Sequence, residues 1–447
     1  MRKCAFAPNK GKQVAYQIGK IIHCQFSGLY DKIGHLSDPR KRKEYSLTEL
    51  VMGGIMLFAF KQGSRNAFEN DRKEEKFRKN YQRAFKLRLP SMDTVEDLYR
   101  VLEENELERL KLLIVRELIA KKVFQKFRFL GKRYFISIDA TGVASYERDY
   151  CGECTHKTSK KGVTTYFHHV LEAKLVTSND MSFSIATEWI RNEGGKEYDK
   201  QDCELNAFKR LANKLKKMYP KLPLVILADG LYANQTFFKI CRENGWEFIV
   251  TFKDGNLPSV HQEIELLPDS AKQTNSRLYA GKGGHATSQE FEWINNIEYQ
   301  GFNLSVIKCH ETKRWIKSGD KDEKDFIHIC SFQINSKNCY LVSDGGRLRW
   351  KIENSFDYLK EHGYNLGHKY SRVSFRALKN YYQSMMVAHM FNQFAEKSGE
   401  LAKLLANDTK CTIKHLWKRW LAFMLEGEIE ITRYQAILET RHQFRLT

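Results

Sequence analysis

Leu222-Pro-Leu-Val-Ile-Leu-Ala-Asp229-Gly230 decides the fold. An unbroken apolar run with β-branched members stops at an acid and a glycine, the pattern of a strand buried on both faces that ends at the carboxyl edge of a sheet. Downstream, Ala233 to Glu243 has helical periodicity and Trp246 to Phe252 reads as another strand. Upstream, the same grammar begins at Arg133. Tyr134-Phe-Ile-Ser-Ile138 is β-rich and ends in Asp139, His168 to Val176 and Met181 to Glu188 are strands around a turn at Asn179-Asp180, and Gln201 to Met218 is a Lys-rich helix. The order β-β-β-α-β-α-β predicts a mixed α/β sheet.

Both flanks are helical. Ser46-Leu-Thr-Glu49 is a capping box before an apolar stretch through Phe60, Asp93 and Glu96 open a second helix, and Leu107 to Val123 is a third amphipath. Residues 1–130 are therefore expected to form a helical N-terminal region able to bind DNA ends, although a purely structural cap fits equally well. Residues 131–254 form the first part of the core. Residues 255–343 read as a β-rich insertion without clear helices, its strands at Arg277–Tyr279, Gln289–Ile294, Phe302–Cys309, Phe326–Phe332 and Asn338–Val342. Helical periodicity returns at Arg349; residues 344–400 complete the core, with a helix at Ser374–Lys397, and 401–447 form a helical C-terminal region containing Thr412–Met424.

The chain has 447 residues, and its 74 Lys and Arg exceed its 54 Asp and Glu by a net +20. Hydrophobic residues at 42% suffice for sizeable cores, and 7 prolines argue against a linker-rich or disordered chain. The longest apolar run, Leu50 to Phe60, is too short for a membrane span, and no signal-like segment precedes Asn9. Ten cysteines without a leader read as reduced thiols, so a cytoplasmic, nucleoid-associated protein is expected. The basic excess is spread through residues 1–44, Arg72–Arg88, Lys121–Arg133 and Lys209–Lys221, and favours nucleic acid as partner over a merely soluble basic surface.

Asp139 and Asp229 each follow an apolar strand, where sites form in α/β sheets, though an acid there is often only a turn former. The third candidate rests on spacing. In Arg347-Leu-Arg349-Trp-Lys-Ile-Glu353-Asn-Ser-Phe-Asp-Tyr-Leu-Lys360 a helix brings Arg349, Glu353 and Lys360 onto one stripe, beside an apolar face of Ile352, Phe356 and Leu359. On charges alone a solvated ion pair would serve. With the apolar face packed on the sheet, the stripe lies near the strand ends, and three converging carboxylates make hard oxygen ligands for Mg²⁺ or Mn²⁺. Two such ions suit in-line phosphoryl displacement, with Arg349 and Lys360 on backbone phosphates.

These motifs together resemble the DDE-type transposases of bacterial insertion sequences, in the insertion sequence four group, over about residues 46–400. The resemblance implies an RNase H-like core with a β-rich insertion before the glutamate. Asp139 in Ile-Ser-Ile-Asp-Ala-Thr-Gly matches the first acid, Asp229 in Leu-Ala-Asp-Gly-Leu-Tyr-Ala-Asn the second and Glu353 the third. The group's signature is Tyr, two residues, Arg, three residues, Glu, six residues, Lys. Arg349, Glu353 and Lys360 fit it, whereas Gly346 stands at the Tyr position, leaving Arg347 or Tyr340 as candidates for that phosphate contact. Lys200-Gln-Asp-Cys-Glu-Leu-Asn-Ala-Phe resembles a further segment common in such proteins. The resemblance implies two Mg²⁺ or Mn²⁺ ions, double-stranded DNA as partner, end hydrolysis followed by attack of the freed 3′-hydroxyl on target DNA, and a homodimer in the DNA complex. The alternatives are a hydrolytic nuclease on the same core and a non-catalytic DNA-binding relic.

Other signals are weaker. Cys151-Gly-Glu-Cys154 with His156, His168 and His169 has the ingredients of a zinc site, but a lone pair of cysteines more often lies in an ordinary loop. Trp293 and Trp315 are expected to pack rather than stack on a flipped base, Lys253 to be solvated and His389 to be core. Asp180, Asp254 and Asp344 read as turn residues, with Asp254 the one rival to Asp229.

Overall fold

The structure, a computed structural model of the chain, describes residues 10–192, 201–281, 284–397, 401–403, 405 and 411–440. Lys200 of the segment quoted above lies outside the described residues. Helices precede the sheet: α1 (Lys10–Lys20), α2 (Leu29–Gly34), α3 (Leu47–Ala59), α4 (Arg65–Lys73), α5 (Glu75–Phe85), α6 (Met92–Val101) and α7 (Glu104–Ala120). The capping box forms as expected: Ser46 Oγ accepts the Glu49 N–H at 3.1 Å and Glu49 takes the Ser46 N–H at 2.8 Å. α3 is buried along its length, so it is a central helix of the bundle and not an amphipathic surface one. Gly54 permits this, because a Cβ there would lie 2.1 Å from the Tyr99 hydroxyl.

The sheet contains β1 (Tyr134–Tyr146), β2 (Thr155–Thr158), β3 (Thr164–Val176), β4 (Ser182–Ile190), β5 (Leu224–Ala228), β6 (Glu247–Thr251), β7 (Gln273–Gly281), β8 (His285–Tyr299), β9 (Phe302–Trp315) and β10 (Lys321–Cys330). Its order is β2-β3-β1-β5-β6-β10-β9-β8-β7, with β4 also on β3. β1, β3 and β4 are antiparallel neighbours, while β5 and β6 run parallel to β1. That succession, β4-β3-β1-β5-β6, is RNase H-like.

Helices cover both faces. α8 (Glu204–Met218) and α9 (Gln235–Asn244) lie on one, where Phe238 stacks on Phe248 at 4.7 Å. α11 (Cys339–Arg347) and α12 (Trp350–Glu361) lie on the other, where Gly345 sits so near Phe135 that a Cβ would approach its ring to 2.6 Å. The buried α13 (Phe375–Glu396) joins α12 to the N-terminal helices, and α14 (Ile413–Glu426) and α15 (Ile431–Glu439) close the bundle.

Several expectations need correction. β1 does not stop at Asp139; the chain through Tyr146 stays extended because it pairs with β3, across a bulge between Gly142 and Ala144. The insertion contains a helix, α10 (Pro258–Leu266), started by a proline at its first position. Asn338–Val342 is not a strand: Cys339, Val342, Ser343 and Gly346 are buried at helical spacing in α11. The insertion is β-rich as expected, and its strands continue the core sheet because β10 pairs with β6.

Candidate active site

Asp139 and Asp229 lie just beyond the end of one parallel ladder. β1 and β5 pair in parallel through Ser137 and Leu227, and each aspartate lies two residues further along its chain. Backbone at Asp229 is still extended (φ −83°, ψ −180°) although β5 ends at Ala228. Alternation places both carboxylates on the face of Ser137 and Leu227, on neighbouring chains about 4.8 Å apart. Asp139 is half-buried, and the pairing of β1 with β5 has ended beside it.

The same face receives α12. Ser137 Oγ donates to the Arg349 carbonyl at 3.1 Å and pins the start of the helix over the strand ends. Arg349 Nη1 donates to Glu353 Oε1 at 2.6 Å, so the i,i+4 spacing is realised as an ion pair. The Arg349 side chain is only 4% exposed, stacked over Trp350 at 4.3 Å, whereas the Glu353 side chain is 34% exposed. Ile352, Phe356 and Leu359 are buried beneath. Lys360 is exposed on the helix's outer side, 3.9 Å from Asp357.

A fourth carboxylate enters that residue chemistry did not single out. Glu204, the first residue of α8, accepts the Tyr232 hydroxyl at 2.8 Å. Tyr232 ends the single turn Gly230–Tyr232 that Asp229 opens, its Oδ1 taking the Leu231 N–H at 3.0 Å. The groups act on one another electrostatically. Asp139 is pushed up to about 7 by burial, then by the charge of Glu204 and, more weakly, that of Glu353; the Ala140 N–H and Arg349 oppose this. Glu204 is likewise raised, by burial first and then by Asp229, with the Tyr232 hydrogen bond opposing. On the same face as Ser137, its ladder partner Lys174 is fully buried, donates to Ser355 Oγ at 2.9 Å, and is lowered to about 8 chiefly by burial.

The acids do not close into a cage. Among the described residues, the only set of three or more His, Cys, Asp or Glu whose ligand atoms all lie within 4.8 Å of one another is Cys151, Cys154 and His168. In its chemistry the donor set fits divalent metal: carboxylates are hard oxygen donors, and burial with the charges of Glu204 and Glu353 raises Asp139, the situation a cation relieves.

The remaining candidates are accounted for. Arg347 is paired with the buried Glu311 at 2.6 Å. Gly346 abuts the buried His328, whose ring would lie 2.5 Å from a Cβ, so no side chain fits at the signature's Tyr position without displacing that ring. Tyr340 packs near Phe291 at 6.3 Å. Trp293 and His389 are core, Trp315 is half-buried, and Lys253 and Asp254 are exposed. Asp344 pairs with Arg277 and Asp180 with Lys351.

An RNase H-like sheet with acids at the carboxyl edge of two adjacent parallel chains, and another on the helix above, marks the class of nucleic-acid-processing enzymes. The family profile described as the transposase DDE domain matches residues 131–390, and the chain belongs to that family. A search of curated proteins gave no match. Among the described residues, no helix is long and apolar enough to cross a membrane.

Proposed function

We propose that this transposase, of the insertion sequence four group, cleaves transposon ends and joins the freed 3′-hydroxyl to target DNA. The observation that carries the reading is that Asp139 and Asp229 each stand two residues beyond the parallel pair Ser137–Leu227, whose Ser137 pins the start of the helix of Glu353. Asp139, Asp229 and Glu353 would hold two Mg²⁺ or Mn²⁺ ions, which when bound ease deprotonation of the attacking hydroxyl and neutralise charge on the leaving oxygen.

The protein's own residues position the strands. Water attacks the scissile phosphorus and loses a proton, and the transposon's 3′-oxygen leaves and gains one. That 3′-hydroxyl then attacks a target phosphorus, forming the new phosphodiester and releasing a target 3′-hydroxyl. Arg349 neutralises Glu353 at rest; when Glu353 takes its ligand role, the guanidinium turns out of its buried position to grip a backbone phosphate in its fork. Lys360, exposed on the same helix, adds a point charge to the phosphate track. A homodimer brings the two ends together.

The test uses duplex DNA carrying the two boundaries of the element that holds the gene, located by sequencing the flanking DNA for inverted repeats. Wild-type protein should nick it at the repeat boundary only with Mg²⁺ or Mn²⁺, and Asp139→Asn or Glu353→Gln should lower the rate at least about 10³-fold. Undiminished cleavage by either variant would show the site assignment to be wrong.

A further inference from the structure

A second constellation lies on the same hairpin, far from the acids. Cys151 and Cys154 belong to the loop between β1 and β2, and His168 stands on β3 opposite Ala144. Ala144 is five residues beyond Asp139, about 17 Å along the strand. The two sulfurs are 3.6 Å apart, and His168 Nε2 is 3.5 Å from Cys151 Sγ and 3.6 Å from Cys154 Sγ. A disulfide would need about 2.05 Å. A zinc ion with Zn–S of about 2.3 Å and Zn–N of about 2.0–2.1 Å at tetrahedral angles requires a sulfur–sulfur edge of about 3.8 Å and sulfur–nitrogen edges of about 3.6 Å. The observed triangle has those edges to within about 0.2 Å, inside the tolerance for a metal site.

The surroundings hold these donors in place. Gly152, at φ +69°, supplies the turn that folds the two cysteines together, and Asp149 Oδ1 ties it down by accepting the N–H groups of Cys151 at 3.1 Å and Gly152 at 2.9 Å. Asn192 donates to the Cys154 carbonyl at 3.0 Å. The His168 ring is stacked on Phe375 at 3.7 Å and 7°, with Tyr146 edge-on at 5.6 Å. Its Nδ1 has no hydrogen-bond partner among the described residues, so stacking sets the ring's orientation. Cys154 and His168 are each 2% exposed and Cys151 is half-buried, so the site is largely closed to solvent.

We propose that Cys151, Cys154 and His168 bind a structural zinc ion, with the fourth position taken by Asp149, whose carboxylate stands at the same turn. Soft sulfur and imidazole donors select this metal from the hard ions expected at the carboxylates. The ion clamps the outer end of the β1–β3 hairpin, whose inner part carries Asp139, to the start of α13 through Phe375.

The full chain, purified under reductant from zinc-supplemented cells, should carry about one zinc per chain. Cobalt added to metal-stripped protein should give the thiolate-to-cobalt charge-transfer band and the visible bands of a tetrahedral ion. Cys154→Ser and His168→Asn should cut zinc content at least about tenfold, while Cys24→Ser leaves it unchanged. Should a variant fail to fold, the wild type still decides: zinc must protect two thiols from alkylation that become reactive after chelation. Wild-type protein with less than about a tenth of an equivalent of zinc and no cobalt bands, or a Cys151–Cys154 disulfide as the native state, would overturn the proposal. Neither result bears on the magnesium-dependent reaction, which is measured separately.

Discussion

Asp139 shows what a single residue contributes. Its folded-state pKa is raised from the ordinary 3.8 to about 7. A raised carboxyl favours the fold when protonated, so its contribution is complete below about pH 4 and is lost as pH rises through 7. Asp139→Asn, which mimics the protonated form, should therefore raise Tm most at pH 8, less at pH 5 and hardly at all below about pH 4, measured by calorimetry without added divalent ion. Added Mg²⁺ should stabilise the wild type at pH 8 and not the variant. At the same scale, Arg349→Ala removes a buried guanidinium whose carboxylate partner is partly solvated, and should cost about 2 kcal/mol in urea unfolding. Asp139 and Asp229 were legible because an acid interrupts an apolar strand. Glu204 was not: an acid in a helix's first turn is ordinary capping chemistry, and only the fold brings it to Asp139.

At the scale of elements, period and length governed what could be read. Ser46-Leu-Thr-Glu49 carries its geometry in four residues, so the start of α3 was plain. Asn338–Val342 was read over five residues, too few to separate period two from period 3.6; extending the window to Gly346 exposes the helical spacing of Cys339, Val342 and Ser343. The β-rich apolar run ends at Asp139, and only pairing with β3 carries β1 on to Tyr146. Gly346 belongs to this scale too. Gly346→Ala would press a methyl against the buried His328 ring. It should destabilise the protein by about 1–3 kcal/mol in urea unfolding. An unchanged transition midpoint would mean that His328 moves away freely.

The whole molecule shows a join that no local pattern contains. Lys61, just past α3, reaches Tyr358 on α12 at 2.6 Å and Glu396 at the end of α13 at 3.1 Å, and lies 4.3 Å from the Trp417 ring. The N-terminal helices thus grip the helix of Glu353, a coupling across about 300 residues that sequence spacing cannot reveal. Lys61→Ala leaves the Glu396 carboxylate, whose side chain is 10% exposed, without its charge partner. The loss should be about 3 kcal/mol, read as a lower urea midpoint of the full chain. The net charge of +20 acts at this scale as well: affinity for any duplex should fall at least about a hundredfold between roughly 50 and 200 mM salt in a filter-binding series. The most direct measurement of the central claim supplies a pre-cut transposon end with a free 3′-hydroxyl, a supercoiled target and Mg²⁺, and counts joined molecules. Wild-type protein should join end to target and Asp229→Asn should not; joining that survives in Asp229→Asn, or a wild type that cuts DNA yet never joins it, would contradict the account.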